Sequence, residues 1–505
     1  MKDFTLFVIS VLFVCIEGIA GERDINCVVD AIADKKTEIS EDLMQEEISL
    51  DHKRIFLQNK TRASEGDSEG VIFKEITVPA AGMLADVLGA DVNTVDSLVV
   101  KGEINEADFN TLWSGTFYGR LSSINLEQAV VENGIIPSNA FWHKEEQWPG
   151  DETIYVNGLR KLILPEGVKA IGDLAFSYCI HLESINFPTT LGSLGMYCFS
   201  DCISLGTSPL QLPEGMSDVP PMCFLNCESL DSVILPTTIS HIGEGAFYRA
   251  KLSRINLPEG LRSIGNCAFY ASNLLEVSLP ASCQDFTGTH HFALNHELKK
   301  INIPLGVKRV PNCFVFNCVK LKEIEIPESL EIIGDDAFST CYELLGLNLP
   351  EGLTRVESNG LWYCKSLKKL VLPSSLTYLG GASCMYMQSL EAIYCMAPVP
   401  PVCDEDPANP GRDHTFGNIM GEPSHLCTPN NIPVYVPVGT ANLYASAYGW
   451  NYFNNFIEVD FSGIDEVHVA DRTNDIVYNL NGVRVYKLIP GNMYVKNGVK
   501  FVYAE

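Results

Sequence analysis

Basic side chains are in short supply: 35 Lys and Arg stand against 63 Asp and Glu in 505 residues, a formal net charge of −28. A surface that binds a phosphate backbone needs clustered cations, so this balance excludes nucleic acid as the expected partner. It argues equally against docking on anionic lipid. Charged residues make up only 19% and hydrophobic ones 46%, so the chain is no disordered polyelectrolyte and can bury a large core. Beyond the N-terminus no apolar run is long enough to span a bilayer as a helix. There are 17 cysteines but no Cys-x-x-Cys pair. Cys198/Cys202 and Cys223/Cys227 are spaced too widely for a zinc ribbon. The one Gly-x-Ser-x-Gly string, Gly66-Asp67-Ser68-Glu69-Gly70, ends the acidic leader with no apolar strand run before it, and Walker-type, His-Glu-x-x-His and calcium-loop patterns are missing. With these frameworks gone, no enzymatic activity, cofactor or metal is expected.

What the chain has instead is self-similarity at a short period. The pattern Leu-x-x-Ile-x-Leu-Pro recurs with its proline at Pro165, Pro188, Pro213, Pro236, Pro258, Pro280, Pro304, Pro327, Pro350 and Pro373. The spacings are 23, 25, 23, 22, 22, 24, 23, 23 and 23 residues. Within a unit, Ile185 and Phe187 alternate with Ser184 and Asn186, the period-2 signature of a short strand with one buried face. Proline ends the strand, and Pro-Glu-Gly, as at Pro165-Glu166-Gly167, is turn chemistry. A second apolar segment follows: Val168, Ile171, Ala175 and Phe176. A unit this short cannot bury both faces alone, so units must stack with their strands in one parallel sheet.

Three residues after the phenylalanine stands a column of Cys179, Cys202, Cys227, Cys341 and Cys364, joined by Cys318 although its unit has Val315 at the phenylalanine position. Ala250 and Ser272 sit in or beside it. Small, weakly polar residues replacing one another mark a tight interior position. Buried thiols are the first expectation; disulfides between neighbours and metal ligation are the alternatives.

The unit Leu-x-x-Ile-x-Leu-Pro…Ile-Gly-x-x-Ala-Phe-x-x-Cys-x-x-Leu closely resembles the leucine-rich repeats of BspA-like surface proteins of anaerobic Gram-negative bacteria. Ile171-Gly172-Asp173-Leu174-Ala175-Phe176-Ser177-Tyr178-Cys179, followed by Leu182, matches nearly every position. The likeness is strong over 159–401 and weaker upstream, where 95–109 and 121–126 look like degenerate units. Departures fall at Phe314-Val315, Gly360-Leu361 and Ser383-Cys384, where less regular packing is expected. The resemblance implies a leucine-rich-repeat solenoid, mainly β. One parallel sheet would line its concave face, with irregular or short helical turns on the convex side. It further implies secretion or surface display, and interaction rather than catalysis.

The flanks complete the organisation. Lys2, the apolar run from Phe4 to Ile16 and Gly18-Ile19-Ala20 read as a signal peptide over 1–20. Cys15 offers lipid attachment as the lesser alternative, Val14 being bulky where such signals want a small residue. An acidic leader, partly helical or flexible, is expected over 21–70, and an N-terminal cap with degenerate repeats over 71–158. Regular repeats fill 159–396. A Pro/Gly-rich loop and C-terminal cap follow over 397–460, and a small β tail over 461–505, with hairpin signals at Asn481-Gly482 and Asn497-Gly498. A bridge between Cys403 and Cys427 would close the loop. Thr440 is a candidate helix N-cap, and Tyr444, Tyr448, Trp450 and Phe453 are candidates to cover the last repeat.

Two sites stand out. The first is the polar face of the sheet, with amide and ammonium donors at Arg160, Lys161, Asn186, Arg254, Asn256, Lys299, Lys300, Asn302, Asn348, Lys368 and Lys369. It predicts adhesion to an extracellular protein, another cell or a glycan, from a secreted or outer-surface position. The second is His290, His291, His296 and Glu297, whose imidazoles and carboxylate could serve a metal-dependent enzyme. His291 takes the alanine place of its unit, which points it inward and away from His290. A structural surface component with no specific ligand is the third reading.

Overall fold

The computed structural model describes residues 70–142, 157–206, 209–405, 414–417 and 427–461, together with the backbone of four short strands between 477 and 502. The signal peptide and all but the last residue of the acidic leader lie outside the described residues. The chain divides into two compact units, Met1–Thr207 and Ser208–Glu505.

In the first unit, β1 (Phe73–Val78), β2 (Ser97–Ile104) and β3 (Ser123–Val131) form a parallel sheet continued by strands Lys161–Ile163 and Ser184–Ile185. Leu98, Val100 and Ile104 fill one face of β2 and are fully buried. The returns between these first strands are helical: α1 (Leu84–Leu88) and α2 (Glu106–Phe117). At the start of α2 the Asn105 side chain accepts from the Ala107 N–H at 3.1 Å, and the Asp108 carboxylate accepts from the Asn105 N–H at 2.9 Å. The same buried carboxylate accepts from Gly82 and Leu84 N–H groups at 2.7 and 2.8 Å, so one side chain caps the helix and pins the preceding loop.

From the third coil onward the return changes character. A second parallel ladder runs through Ile135–Ile136, Ala170–Ile171 and Ser193–Leu194 in the first unit. In the second unit it runs through Asp218–Val219, His241–Ile242, Ser263–Ile264 and Asp285–Phe286, then Arg309–Val310, Ile332–Ile333, Arg355–Val356, Tyr378–Leu379 and Val402–Cys403. The side expected to carry irregular or short helical turns therefore carries a second sheet. The Ile-Gly dipeptide explains it. Isoleucine buries into the core, and the missing glycine side chain lets coils close up: a Cβ on Gly195 would stand 2.3 Å from the Asp173 nitrogen.

Between the ladders lies a core one phenylalanine wide. Phe141, Phe176 and Phe199 stack face to face at 5.4 and 5.2 Å in the first unit. Phe224, Phe247, Phe269 and Phe292 do so at 5.4, 5.4 and 5.3 Å in the second. At the departure Phe314-Val315 the two rows exchange volume: Phe314 takes the alanine place and meets Phe292 edge-on at 5.3 Å, while Val315 takes the phenylalanine place. Both are buried, so the core stays filled as a close-packed interior requires.

At the C-terminal side, strand Val434–Pro437 and helix α3 (Ala441–Ser446) follow the loop. Tyr444, Trp450 and Phe453 are buried. The Tyr444 hydroxyl donates to the Ala397 carbonyl at 2.7 Å, and the Trp450 indole donates to Pro401 at 2.9 Å. Tyr448, expected among them, is 45% exposed. Thr440 sits at the N-cap position of α3 but its hydroxyl donates backward to the Pro437 carbonyl at 2.7 Å, so it caps nothing. None of the fifteen cysteines among the described residues is joined in a disulfide, which removes the Cys403–Cys427 bridge. The four tail strands pair antiparallel, with Lys496 opposite Val499 across the expected Asn497-Gly498 hairpin.

Candidate binding face

The Leu-x-x-Ile-x-Leu-Pro segments build the first ladder, and their outward side chains form rows one coil apart. In the second unit the register sets Lys300 beside Glu323 and Asn302 beside Glu325. The structure divides the predicted residues by what they touch.

The asparagines face backward along the stack. Asn186 accepts from the Leu164 N–H at 2.6 Å and donates to the Leu164 carbonyl at 3.1 Å. Asn256 does the same to Leu235 at 2.9 and 3.1 Å, and Asn302 to Leu279 at 2.6 and 2.8 Å. Each amide satisfies both backbone groups of one residue on the preceding coil, beyond the end of the strand pairing there. Asn348 is exposed, on a coil whose residues 343–350 form no strand and which also exposes Leu345 at 65%.

The cations divide in two. Arg160 pairs with Glu183 at 2.7 Å, Lys300 with Glu325 at 2.6 Å and Glu323 at 3.4 Å, and Lys368 with Glu391 at 3.2 Å. Every one of these carboxylates belongs to the next coil. Lys161 and Arg254 are exposed and have no carboxylate partner among the described residues, while Lys299 is exposed and its charge acts on the Glu297 carboxylate that Lys320 holds. Lys369 is half-buried, and burial holds its ammonium below the usual lysine range against the pull of Glu391.

A further inter-coil system escaped the sequence reading. The Glu166 carboxylate accepts from the Thr189 N–H at 3.1 Å and its hydroxyl at 2.9 Å, while the Thr190 hydroxyl donates to Val168 at 2.7 Å. Glu214 with Thr237 and Thr238, and Glu351 with Ser374 and Ser375, repeat the arrangement. Its signal was present: three of the four Pro-Glu-Gly coils are followed by a Pro-Thr-Thr or Pro-Ser-Ser coil, the exception being Pro258-Glu259-Gly260, which Pro280-Ala281-Ser282 follows.

The histidine cluster does not converge. His290 shares a hydrogen bond with the Thr289 hydroxyl at 2.8 Å and lies against Tyr270. His291 is fully buried, its Nε2 donating to the Thr287 carbonyl at 3.1 Å and its Nδ1 left without a partner. Burial pushes both imidazoles down to about 4. Glu297 is taken by Lys320 at 2.6 Å, and His296 lies exposed. Among the described residues no three His, Cys, Asp or Glu side chains are grouped to hold a metal ion.

The family model for the BspA type leucine rich repeat region (6 copies) matches residues 150–276, 204–318 and 286–402. No curated protein sequence matches the chain. Among solved structures, a leucine-rich repeat protein from Bacteroides ovatus is 21% identical, with a TM-score of 0.39 over 55% of this chain and 79% of its own. A leucine rich cell surface protein from Faecalibacterium prausnitzii is 20% identical, with a TM-score of 0.37 over 61% and 91%. A leucine-rich repeat protein from Eubacterium ventriosum is 15% identical, with a TM-score of 0.37 over 61% and 87%. No helix among the described residues is long and apolar enough to cross a membrane.

Proposed function

Since the chain belongs to the BspA-type leucine-rich-repeat family, we propose that it is an exported or cell-surface recognition protein whose strand face binds an extracellular protein or glycan. The observation that carries this reading is the first ladder of the second unit. It is a stack of parallel strands in three successive sheets, and from Leu210–Gln211 to Glu323–Glu325 one face lies toward the core while the other presents mainly polar side chains. An array of that kind offers an extended contact surface with little ordering cost, because the backbone is already fixed. Arg254, exposed and without a carboxylate partner, and Lys299, exposed and in no ion pair, are its strongest donors, with Lys300, Lys368 and Lys369 on further coils of the same face. Asn256 and Asn302 contribute by holding the coils in place rather than by reaching a ligand.

An array of matrix proteins and glycans probed with the intact chain tests the reading. The expected result is a ligand whose binding is lost in Arg254→Glu, Lys300→Glu and Lys369→Glu. Binding that survives all three substitutions assigns it to another surface.

A further inference from the structure

The turn that joins the second ladder back to the first carries a patch the repeat does not require. Tyr342, Trp362, Tyr363 and Tyr386 come from three consecutive coils of the second unit, and all four are partly exposed. Their rings meet at 5.3 Å (Tyr342–Tyr363), 5.3 Å (Trp362–Tyr363), 5.6 Å (Trp362–Tyr386) and 5.3 Å (Tyr363–Tyr386). Lys365 lies over the Tyr342 ring at 4.0 Å and 6.0 Å from that of Tyr363, with no ion pair to a carboxylate among the described residues. On the strand face Arg160, Lys300 and Lys368 each meet a glutamate one coil away. Lys365 is held by π faces alone, in a chain with a net charge of −28.

The fold does not ask for these residues. Equivalent turn positions hold residues as different as Ser177, Ser200, Asn226, Arg249, Asn317 and Thr340, with aromatic rings at Tyr178, Tyr248, Tyr270 and Phe316. The residue two after the phenylalanine position has a left-handed backbone, with φ of 56° at Asn226 and 57° at Asn317, where asparagine is favoured. Tyr363 and Tyr386 occupy that place at 61° and 62°. The left-handed turn belongs to the repeat itself, since Tyr178 at 58°, Arg249 at 56° and Leu294 at 59° adopt it too; what sets this place apart is the run of touching aromatic rings over three consecutive coils. The Tyr342 and Tyr363 hydroxyls have no hydrogen-bond partner among the described residues.

We infer that this aromatic turn patch is a binding site for an acidic glycan, an oligosaccharide with a carboxylate-bearing sugar. The C–H face of a pyranose is weakly positive and packs on the negative face of an aromatic ring. The tyrosine hydroxyls supply hydrogen bonds to sugar hydroxyls, and the Lys365 ammonium pairs with the carboxylate. Sialic and uronic acids share this chemistry. The site uses none of the strand-face residues, so either proposal can fail alone.

The test titrates the intact chain with 3′-sialyllactose and with a hyaluronan tetrasaccharide, using lactose and poly-glutamate as controls. At least one acidic sugar is expected to bind about tenfold or more tightly than either control. Tyr363→Asn, which restores the residue the backbone prefers, and Lys365→Gln are each expected to weaken binding by about tenfold at an unchanged melting temperature. Lys300→Glu should leave it intact. The inference is overturned if neither acidic sugar binds, if lactose or poly-glutamate binds as well, or if Tyr363→Asn and Lys365→Gln bind like the parent. Preference for sialyllactose or for hyaluronan then names the sugar.

Discussion

The Cys202 thiol donates to the carbonyl oxygen of Phe176, 3.1 Å away on the preceding coil. The same bond recurs from Cys318 to Phe292 at 3.2 Å and from Cys364 to Phe338 at 3.3 Å. Ser272 makes it to Phe247 at 2.5 Å and Asn295 to Phe269 at 2.7 Å. The cysteine column is thus a row of donors, which is why serine and asparagine replace cysteine in it. Cys202→Ser is expected to cost less stability than Cys202→Val, which overpacks the site and donates nothing, by about 1–2 kcal/mol. Urea denaturation of the two variants decides; equal midpoints would remove the donor role. Burial pushes the Cys318 and Cys364 thiols up to about 12, so these sulfurs should resist a disulfide-exchange reagent at pH 8 until the chain is unfolded.

Asn302 closes both backbone groups of Leu279, and Asn302→Asp removes the donor while setting a carboxylate against a carbonyl. The expected loss is about 1–3 kcal/mol. Asn348→Asp, at the exposed equivalent, should change stability little. Matching losses at the two positions would show that the backbone bonds contribute nothing.

Gly195 has no room for a methyl group, because the obstacle is the Asp173 backbone nitrogen and not a movable side chain. Gly195→Ala is expected to cost about 2 kcal/mol or more, whereas Gly192→Ala, whose nearest contact is 3.7 Å away, should cost far less. Thermal melts of both report whether the second ladder sets the coil spacing.

His291 is buried and neutral down to about pH 4 in the folded chain. An unfolded histidine takes a proton near 6.5, so between these values the unfolded state binds more protons. The stability this group contributes is present above about pH 6.5 and falls by up to about 1.4 kcal/mol per pH unit as the pH drops towards 4. His290 and His414, also lowered to about 4 by burial, act in the same sense. Denaturation between pH 7 and 4.5 should show a shallower decline for His291→Ala than for the parent. Parallel declines would mean that His291 is protonated in the folded state.

The repeating unit, its strand, its proline stop and its Ala-Phe core are all legible in the amino-acid order, because in a stacked array each coil meets the same environment and repeats the same pattern. The inward setting of His291 and the hairpin at Asn497-Gly498 were legible for the same local reasons. The second ladder was not. Its strands are two residues long, too short for a period to register, and what makes them a sheet is the close approach that Gly195 and its equivalents permit. Nor was the employment of the polar rows. Asn186, Asn256 and Asn302 look like donors awaiting a ligand until the coil behind them is in place, and Arg160, Lys300 and Lys368 look unpaired until the coil ahead brings its glutamates. Sequence alone determined what each coil is. Which of its polar groups remain for a partner was decided by the tertiary structure, because a hydrogen bond or ion pair depends on a neighbour some 23 residues away being within about 3 Å.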